Sequence, residues 1–256
     1  MLSVHNLVKE FDGLTAVNGL NFTVEPETIT GLIGPNGAGK TTTFNMITGH
    51  VKPSHGSIHF DGDDITDLRP HQAFHLGVVR TFQIPRPFSG MTVLENLTMV
   101  PGNQIGEKIW NNWLRSSTVE KEELRIQEKA NELLEFLNLA DLRNEFSGNL
   151  SGGQLKLLEL GRALMSDPKL ILLDEPGAGV NPTLLEEIIE RIRDIHGQGV
   201  TFLIIEHNME LVMRLCSSVL VMVEGVILMQ GSPEDIRSDP RLFDAFLGGG
   251  TLSWYN

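Results

Sequence analysis

The octapeptide GPNGAGKT at residues 34–41 constrains this chain more than any other feature. It fits the pattern G-x-x-x-x-G-K-[ST], whose glycines let the backbone turn its N–H groups toward phosphate oxygens. A β-rich run, TITGLIG, leads into it, and KTTTFNMITG reads as a helix leaving it. Strand, loop and helix in that order place the positive end of a helix dipole behind a bound anion. Gly34, Pro35, Asn36, Gly37, Ala38 and Gly39 form the expected cradle, with Thr42 just beyond it. Lys40 supplies a point charge for the β- and γ-phosphates, and the Thr41 hydroxyl is a hard oxygen suited to Mg²⁺.

A phosphate loop of this kind needs a carboxylate on a neighbouring strand. The apolar run LILLDE supplies two, Asp174 and Glu175. The first is expected at the metal and the second beside the γ-phosphate, as the base that orients or deprotonates the attacking water. His207 follows a second buried run, LIIE, where an imidazole can donate to the γ-phosphate. Gln83 ends the short run VVRTFQ, and its amide could bridge metal, water and backbone. Phe11 could stack on a nucleobase or simply pack near a turn. Taken singly, each of these three also suits a plain loop position.

A second small-residue run, NLSGGQLKLLELGRAL, opens another helix far from the first loop. Ser151, Gly152, Gly153 and Gln154 stand where a helix N-terminus presents its donors.

Along the chain, residues 1–30 read as short alternating strands with turns at Asp12-Gly13 and Glu25-Pro26. GSIHFDG is a further strand. The Pro-rich IPRPFSGM cannot continue a regular element, Thr92 can cap TVLENLTMV, and residues 107–140 are strongly helical. Ala130, Leu133, Leu134 and Leu137 form a stripe at helical spacing. Residues 85–165 therefore read as a helical subdomain inserted between two parts of a core, 1–84 and 166–256. After it, buried strands alternate with helices, which implies a largely parallel sheet. SSVLVMVEG and VILMQGS form a hairpin about Glu224-Gly225, and SPEDIRS and DPRLFDAFLG are short C-terminal helices.

Composition excludes some partners. Twenty Lys and Arg against 33 Asp and Glu give a formal charge of −13, which argues against a nucleic-acid footprint and against loose docking on an anionic membrane. The N-terminal MLSVHNLVKEFDG lacks a basic region followed by an apolar core, so no signal peptide is expected, and no apolar run is long enough to span a bilayer. The single cysteine, Cys216, can form no intrachain disulfide. His71 and His75 are spaced i, i+4 but have no third ligand nearby, so a solvated helix face is expected.

Together these residues resemble the ATP-binding subunit of an ATP-binding cassette (ABC) transporter, over nearly the whole chain. GPNGAGKT is similar to Walker A, LILLDEP to Walker B, LSGGQ to the family signature, Gln83 to the Q-loop and His207 to the switch histidine. Phe11 matches the adenine-stacking position, where tyrosine is commoner. Asn181 stands in the D-loop GAGVNP where many members have Asp. The resemblance implies an α/β P-loop NTPase (RecA-like) core with a mainly parallel sheet, an N-terminal antiparallel β subdomain and an inserted α-helical subdomain. It implies ATP and Mg²⁺ as ligands, and two ATPase subunits, alike or related, that sandwich ATP head to tail. Ser151, Gly152, Gly153 and Gln154 of one subunit would grip the ATP held by the other. It also implies integral membrane permease subunits, a substrate-binding protein acting indirectly, and a place on the cytoplasmic face of the inner membrane. RTFQIPRPFSGMTVLENL, DEPGAGVNP and IIEHNMELVM look like the branched-chain amino acid importer subgroup. The lipopolysaccharide-export ATPase shares a GAGVxP-like D-loop but generally lacks the long insert and has Asp at position 181. Soluble ABC ATPases usually carry two cassettes in tandem or a long coiled coil between the Walker motifs, and neither is expected here.

Overall fold

The computed structural model describes residues 1–81, 86–102 and 116–242. Two compact units emerge, one comprising Met1–Gln83, Lys169–Ala178 and Leu185–Asn256, the other Ile84–Pro168 and Gly179–Leu184. The expected helix over 107–115, Gln83 and the end of the last C-terminal helix lie outside the described residues.

The first unit holds two sheets. In one, strands β1 (Leu2–Phe11), β2 (Leu14–Val24), β4 (His55–Phe60) and β5 (Asp63–Asp64) run antiparallel in the order β2-β1-β4-β5. β1 and β2 are longer than the short strands expected, because bulges let one hairpin keep pairing through register shifts. Their turn, Asp12-Gly13, has positive φ at both residues, as a tight hairpin requires.

The other sheet comprises β3 (Ile29–Ile33), β6 (Val78–Arg80), β7 (Leu170–Asp174), β8 (Thr201–Ile205), β9 (Ser218–Val223) and β10 (Val226–Gly231). Their order is β10-β9-β3-β8-β7-β6; every pairing is parallel except β9 with β10, the expected hairpin about Glu224-Gly225. β3, β7 and β8 are buried at every residue, which explains why they read as continuous apolar runs rather than alternating ones. Register then places the site: Leu32 and Asp174 both lie opposite Ile205, so the C-terminal ends of β3, β7 and β8 finish level. In open parallel sheets ligands bind beyond those ends.

Helix α1 (Lys40–Ile47) leaves β3, and its Phe44 and Ile47 join Leu2, Leu20, Ile58, Phe60, Leu172 and Leu203 in one buried core. α2 (Pro70–His75) precedes β6.

The second unit is helical: α3 (Val93–Thr98), α4 (Ser116–Phe136) and α5 (Gly152–Met165). Thr92 caps α3, its hydroxyl accepting from Glu95 N–H while the Glu95 carboxylate accepts from Thr92 N–H. Of the expected stripe, Ala130, Leu134 and Leu137 are buried and Leu133 is half-buried. Gly161 lets α5 approach closely: a Cβ there would fall 2.7 Å from Leu137 and 3.2 Å from Leu97. The wholly buried Asn96 accepts from Phe88 N–H, and its NH₂ shares two hydrogens among the carbonyls of Phe88, Met91 and Thr92 and Ser147 Oγ, all within 3.3 Å. It thereby ties the segment entering α3 to the one that precedes the signature helix.

Helix α6 (Pro182–His196) begins in the second unit and ends in the first; α7 (Met209–Leu215) and α8 (Pro233–Ser238) complete the described chain. Among the described residues no helix is long and apolar enough to cross a membrane.

Candidate functional site

The turn from β3 into α1 is built on glycine conformations. Gly34 has φ of 152° and Gly39 of 98°. A Cβ on Gly34 would sit 2.0 Å from the Met222 carbonyl oxygen, and one on Gly39 2.5 Å from that of Ala16. Backbone, not a yielding side chain, blocks both positions, so neither tolerates alanine. The result is an open cavity of about 200 Å³ lined by Asn36 to Thr42, Ala16, Glu175 and His207. Seven consecutive residues of the loop and the first turn of α1 and two side chains from the ends of other strands thus converge, as the sheet order requires.

Lys40 is buried, and its Nζ donates to the carbonyls of Gly34 at 2.7 Å and Pro35 at 2.9 Å. Burial pushes its ammonium below the usual value of 10.5, with Glu175 and Asp174 opposing the shift. The folded state therefore holds this proton less tightly than the unfolded chain does. The charged side chain costs stability at neutral pH, and the cost is relieved as pH rises through the lowered value toward 10.5. As pH climbs from neutral toward about 10, the thermal midpoint of the nucleotide-free parent is expected to gain on that of Lys40→Met, because only the parent sheds the disfavoured charge. A parent midpoint that loses ground to Lys40→Met as pH rises contradicts this account of the lysine.

Two acids stand at the end of β7. Asp174 is 8% exposed, and its Oδ2 lies 2.8 Å from Nη2 of Arg80, itself 6% exposed. Arg80 closes β6; its Nη1 donates to Asn45 Oδ1 on α1, and its guanidinium lies 5.6 Å from the centroid of the Phe44 ring. Glu175 has a left-handed backbone, φ 51°, and its N–H donates to the Ile205 carbonyl. That turn swings the Glu175 side chain toward the end of β8, where its Oε1 lies 2.8 Å from His207 Nε2. At that distance an imidazole carrying its proton on Nε2 can donate to the carboxylate.

The structure therefore brings Glu175 and His207 together at the cavity, and sets Asp174 beside Arg80. Phe11 lies at the tip of the β1–β2 hairpin, 43% exposed, with Lys9 Nζ 4.8 Å from its ring centroid. Gln83 is outside the described residues.

Ser151 caps α5. Its hydroxyl accepts from Gln154 N–H at 3.3 Å, and the Gln154 side-chain carbonyl accepts from Ser151 N–H at 2.9 Å. Gln154 is thus one half of a capping box, while the Ser151 hydroxyl keeps its own proton to donate. Gly153 has a packing reason for being glycine: a Cβ there would fall 1.5 Å from a Leu184 methyl carbon, whereas Gly152 faces open space. Asn181, at the D-loop position, accepts from Leu184 N–H at 2.9 Å and so holds the first turn of α6.

Sequence reasoning missed Arg80, Asn45 and Leu184. Arg80 carried a signal, a lone cation within the apolar run VVR of a parallel strand. The other two carried none, because their contacts are made with residues remote in the chain. Cys216 acquires no reactivity: burial and the charge of Glu206 push its thiol up to about 12, leaving it protonated.

Comparison with known proteins bears on the same residues. The family described as ABC transporter matches residues 17–178. The probable branched-chain amino acid transport ATP-binding protein LivG of Archaeoglobus fulgidus is 46% identical over 251 residues, covering 97% of this chain and 95% of the relative. The protein of that name in Methanocaldococcus jannaschii is 42% identical, with 97% of each chain covered. A crystal structure of the ADP conformation of MJ1267, an ATP-binding cassette of an ABC transporter, superposes with a TM-score of 0.83 at 40% identity, over 97% of this chain and 98% of that one. A phosphate loop, paired strand-end acids and a capped LSGGQ helix, on a fold shared nearly end to end with such a cassette, place this chain in the ABC transporter family, as an ATP-binding and ATP-hydrolysing subunit.

Proposed function

We propose that this chain powers the import of branched-chain amino acids, as one of two ATPase subunits docked on permeases at the cytoplasmic face of the membrane. The observation that carries the cargo is the likeness, over 97% of the chain, to relatives named for branched-chain amino acid transport. In this reading residues 1–84 and 166–256 are the catalytic core and 85–165 the helical signature subdomain.

The chemistry is assigned residue by residue. Gly34 to Thr42 enclose the phosphates, and Lys40 turns from the loop carbonyls to the β- and γ-phosphates when they arrive. Phe11 stacks on adenine. Glu175 takes a proton from the attacking water, and His207 Nε2–H, which faces the Glu175 carboxylate without nucleotide, turns to donate to the γ-phosphate when it arrives. Ser151, Gly152, Gly153 and Gln154 of one copy complete the site of a second copy or of a related subunit, with the Ser151 hydroxyl as the donor its cap leaves over. Mg²⁺ fits the donor chemistry, since the Thr41 hydroxyl on the cavity wall and the Asp174 carboxylate are hard oxygens; these two, with Gln83, would hold it. When bound, it offsets the charge of the phosphate oxygens.

The cargo is tested in proteoliposomes that carry this chain with its permeases and binding protein and enclose ATP. Labelled leucine is expected to accumulate only with ATP inside, and unlabelled isoleucine and valine to compete. ATP hydrolysis without leucine uptake would sink the assignment of cargo while leaving the ATPase intact.

A further inference from the structure

Glu206 precedes His207 and is 3% exposed, a carboxylate placed where β8 would otherwise end in another apolar residue. Its two oxygens accept three backbone hydrogen bonds. Oε1 takes Gly177 N–H at 2.8 Å, and Oε2 takes His207 N–H at 3.0 Å and Asn208 N–H at 3.1 Å. Burying a charge is costly unless hydrogen bonds replace its hydration, and three N–H donors to one carboxylate do so.

The donors come from two loops. Gly177 belongs to the turn that starts at Glu175, closed by Ala178 N–H donating to the Glu175 carbonyl. His207 and Asn208 form the connection into α7, whose first turn Asn208 caps through Leu211 N–H. The fit at Gly177 is tight: a Cβ there would come within 3.0 Å of Glu206 Oε1. A closed circuit results, running from the Glu175 side chain to His207 Nε2, through the His207 backbone to Glu206, and from Glu206 to Gly177 two residues beyond Glu175.

We infer that Glu206 is a positioning residue that holds the Glu175 turn and the His207 loop in register, a role that rests on the hydrolytic reading of the Glu175–His207 pair. It does not line the cavity; it acts by fixing the two loops whose side chains, Glu175 and His207, do. Glutamine has the same shape but cannot serve, because its NH₂ would face one of the backbone N–H groups, donor against donor. Aspartate keeps the charge but is one methylene too short to reach both loops.

The test is ATP turnover and nucleotide affinity for Glu206→Gln, Glu206→Asp, His207→Ala and Glu206→Gln/His207→Ala, with Glu175→Gln alongside. Glu206→Gln is expected to lower kcat about 10- to 100-fold while KM for ATP changes less than about twofold, because the loops move and the phosphate cradle does not. Glu206→Asp should recover part of the loss, and the double variant should be no slower than His207→Ala, as expected of residues acting as a unit. Parent-like kcat in Glu206→Gln, or losses that multiply in the double variant, would overturn the role. If Glu206→Gln does not fold, Glu206→Asp decides alone: reduced kcat at unchanged KM supports the role, and parent-like kcat ends it. Normal turnover by Glu175→Gln would overturn the hydrolytic reading of the pair and the role of Glu206 with it. A silent Glu175→Gln beside an unimpaired Glu206→Gln overturns only the latter.

Discussion

Glu175→Gln is expected to cut steady-state ATP turnover by about 10²- to 10⁴-fold, the usual contribution of a positioned general base. Glutamine preserves the volume of the side chain and leaves an amide oxygen to accept from His207 Nε2, now 2.8 Å from Glu175 Oε1. The left-handed turn at residue 175 and its bond to the Ile205 carbonyl are made by backbone, so both survive the change. What disappears is the ability to take a proton from water. Nucleotide affinity should hold within about threefold, since Asn36 to Thr42 supply most of the cavity wall. ATP bound but not consumed should accumulate in a dimer. Phosphate release measures the first effect and size-exclusion chromatography with ATP the second. Turnover within about tenfold of the parent would remove Glu175 from the role of base.

Arg80→Met should destabilise the protein by about 3–5 kcal/mol, because it leaves the Asp174 carboxylate buried without its countercharge. For a chain of this size that is a fall of roughly 10 °C in thermal midpoint. Burial, not distance, makes the difference. Lys52 and Asp67 also approach to 2.8 Å, but their side chains are 74% and 70% exposed, against 6% and 8% for Arg80 and Asp174. Lys52→Met should therefore cost less than about 1 kcal/mol. Arg80→Lys should fall between, keeping the charge but losing the fork that reaches Asp174 and Asn45 together. Arg80→Met/Asp174→Leu should recover much of the loss by removing both charges. Equal and small effects of Arg80→Met and Lys52→Met in chemical denaturation would show that the buried pair has no special weight.

Local order was legible from one dimension. GPNGAGKT encodes its own turn, because Gly34 and Gly39 take backbone conformations closed to other residues. The apolar runs that became β3, β7 and β8, the cap at Thr92 and the hairpin turn at Glu224-Gly225 depend on neighbours within a few positions, so residue order reveals them. The strand-end acids and the histidine were legible as candidates for the same reason: each stands where an apolar run stops.

Their assembly was not. Arg80 and Asp174 are 94 positions apart, and Glu206 and Gly177 are 29. Side-chain periodicity says which face of a strand is buried but not which strand lies beside it. Only the order β3-β8-β7-β6 and the common register at Ile205 bring the phosphate loop, Asp174, Glu175 and His207 together at the C-terminal ends of the strands. Gln154 makes the same point on a smaller scale. The sequence by itself determined that LSGGQ would open a helix; the folded chain decided that Gln154 closes the cap, that Gly153 makes room for Leu184, and that Ser151 is left with a proton to offer.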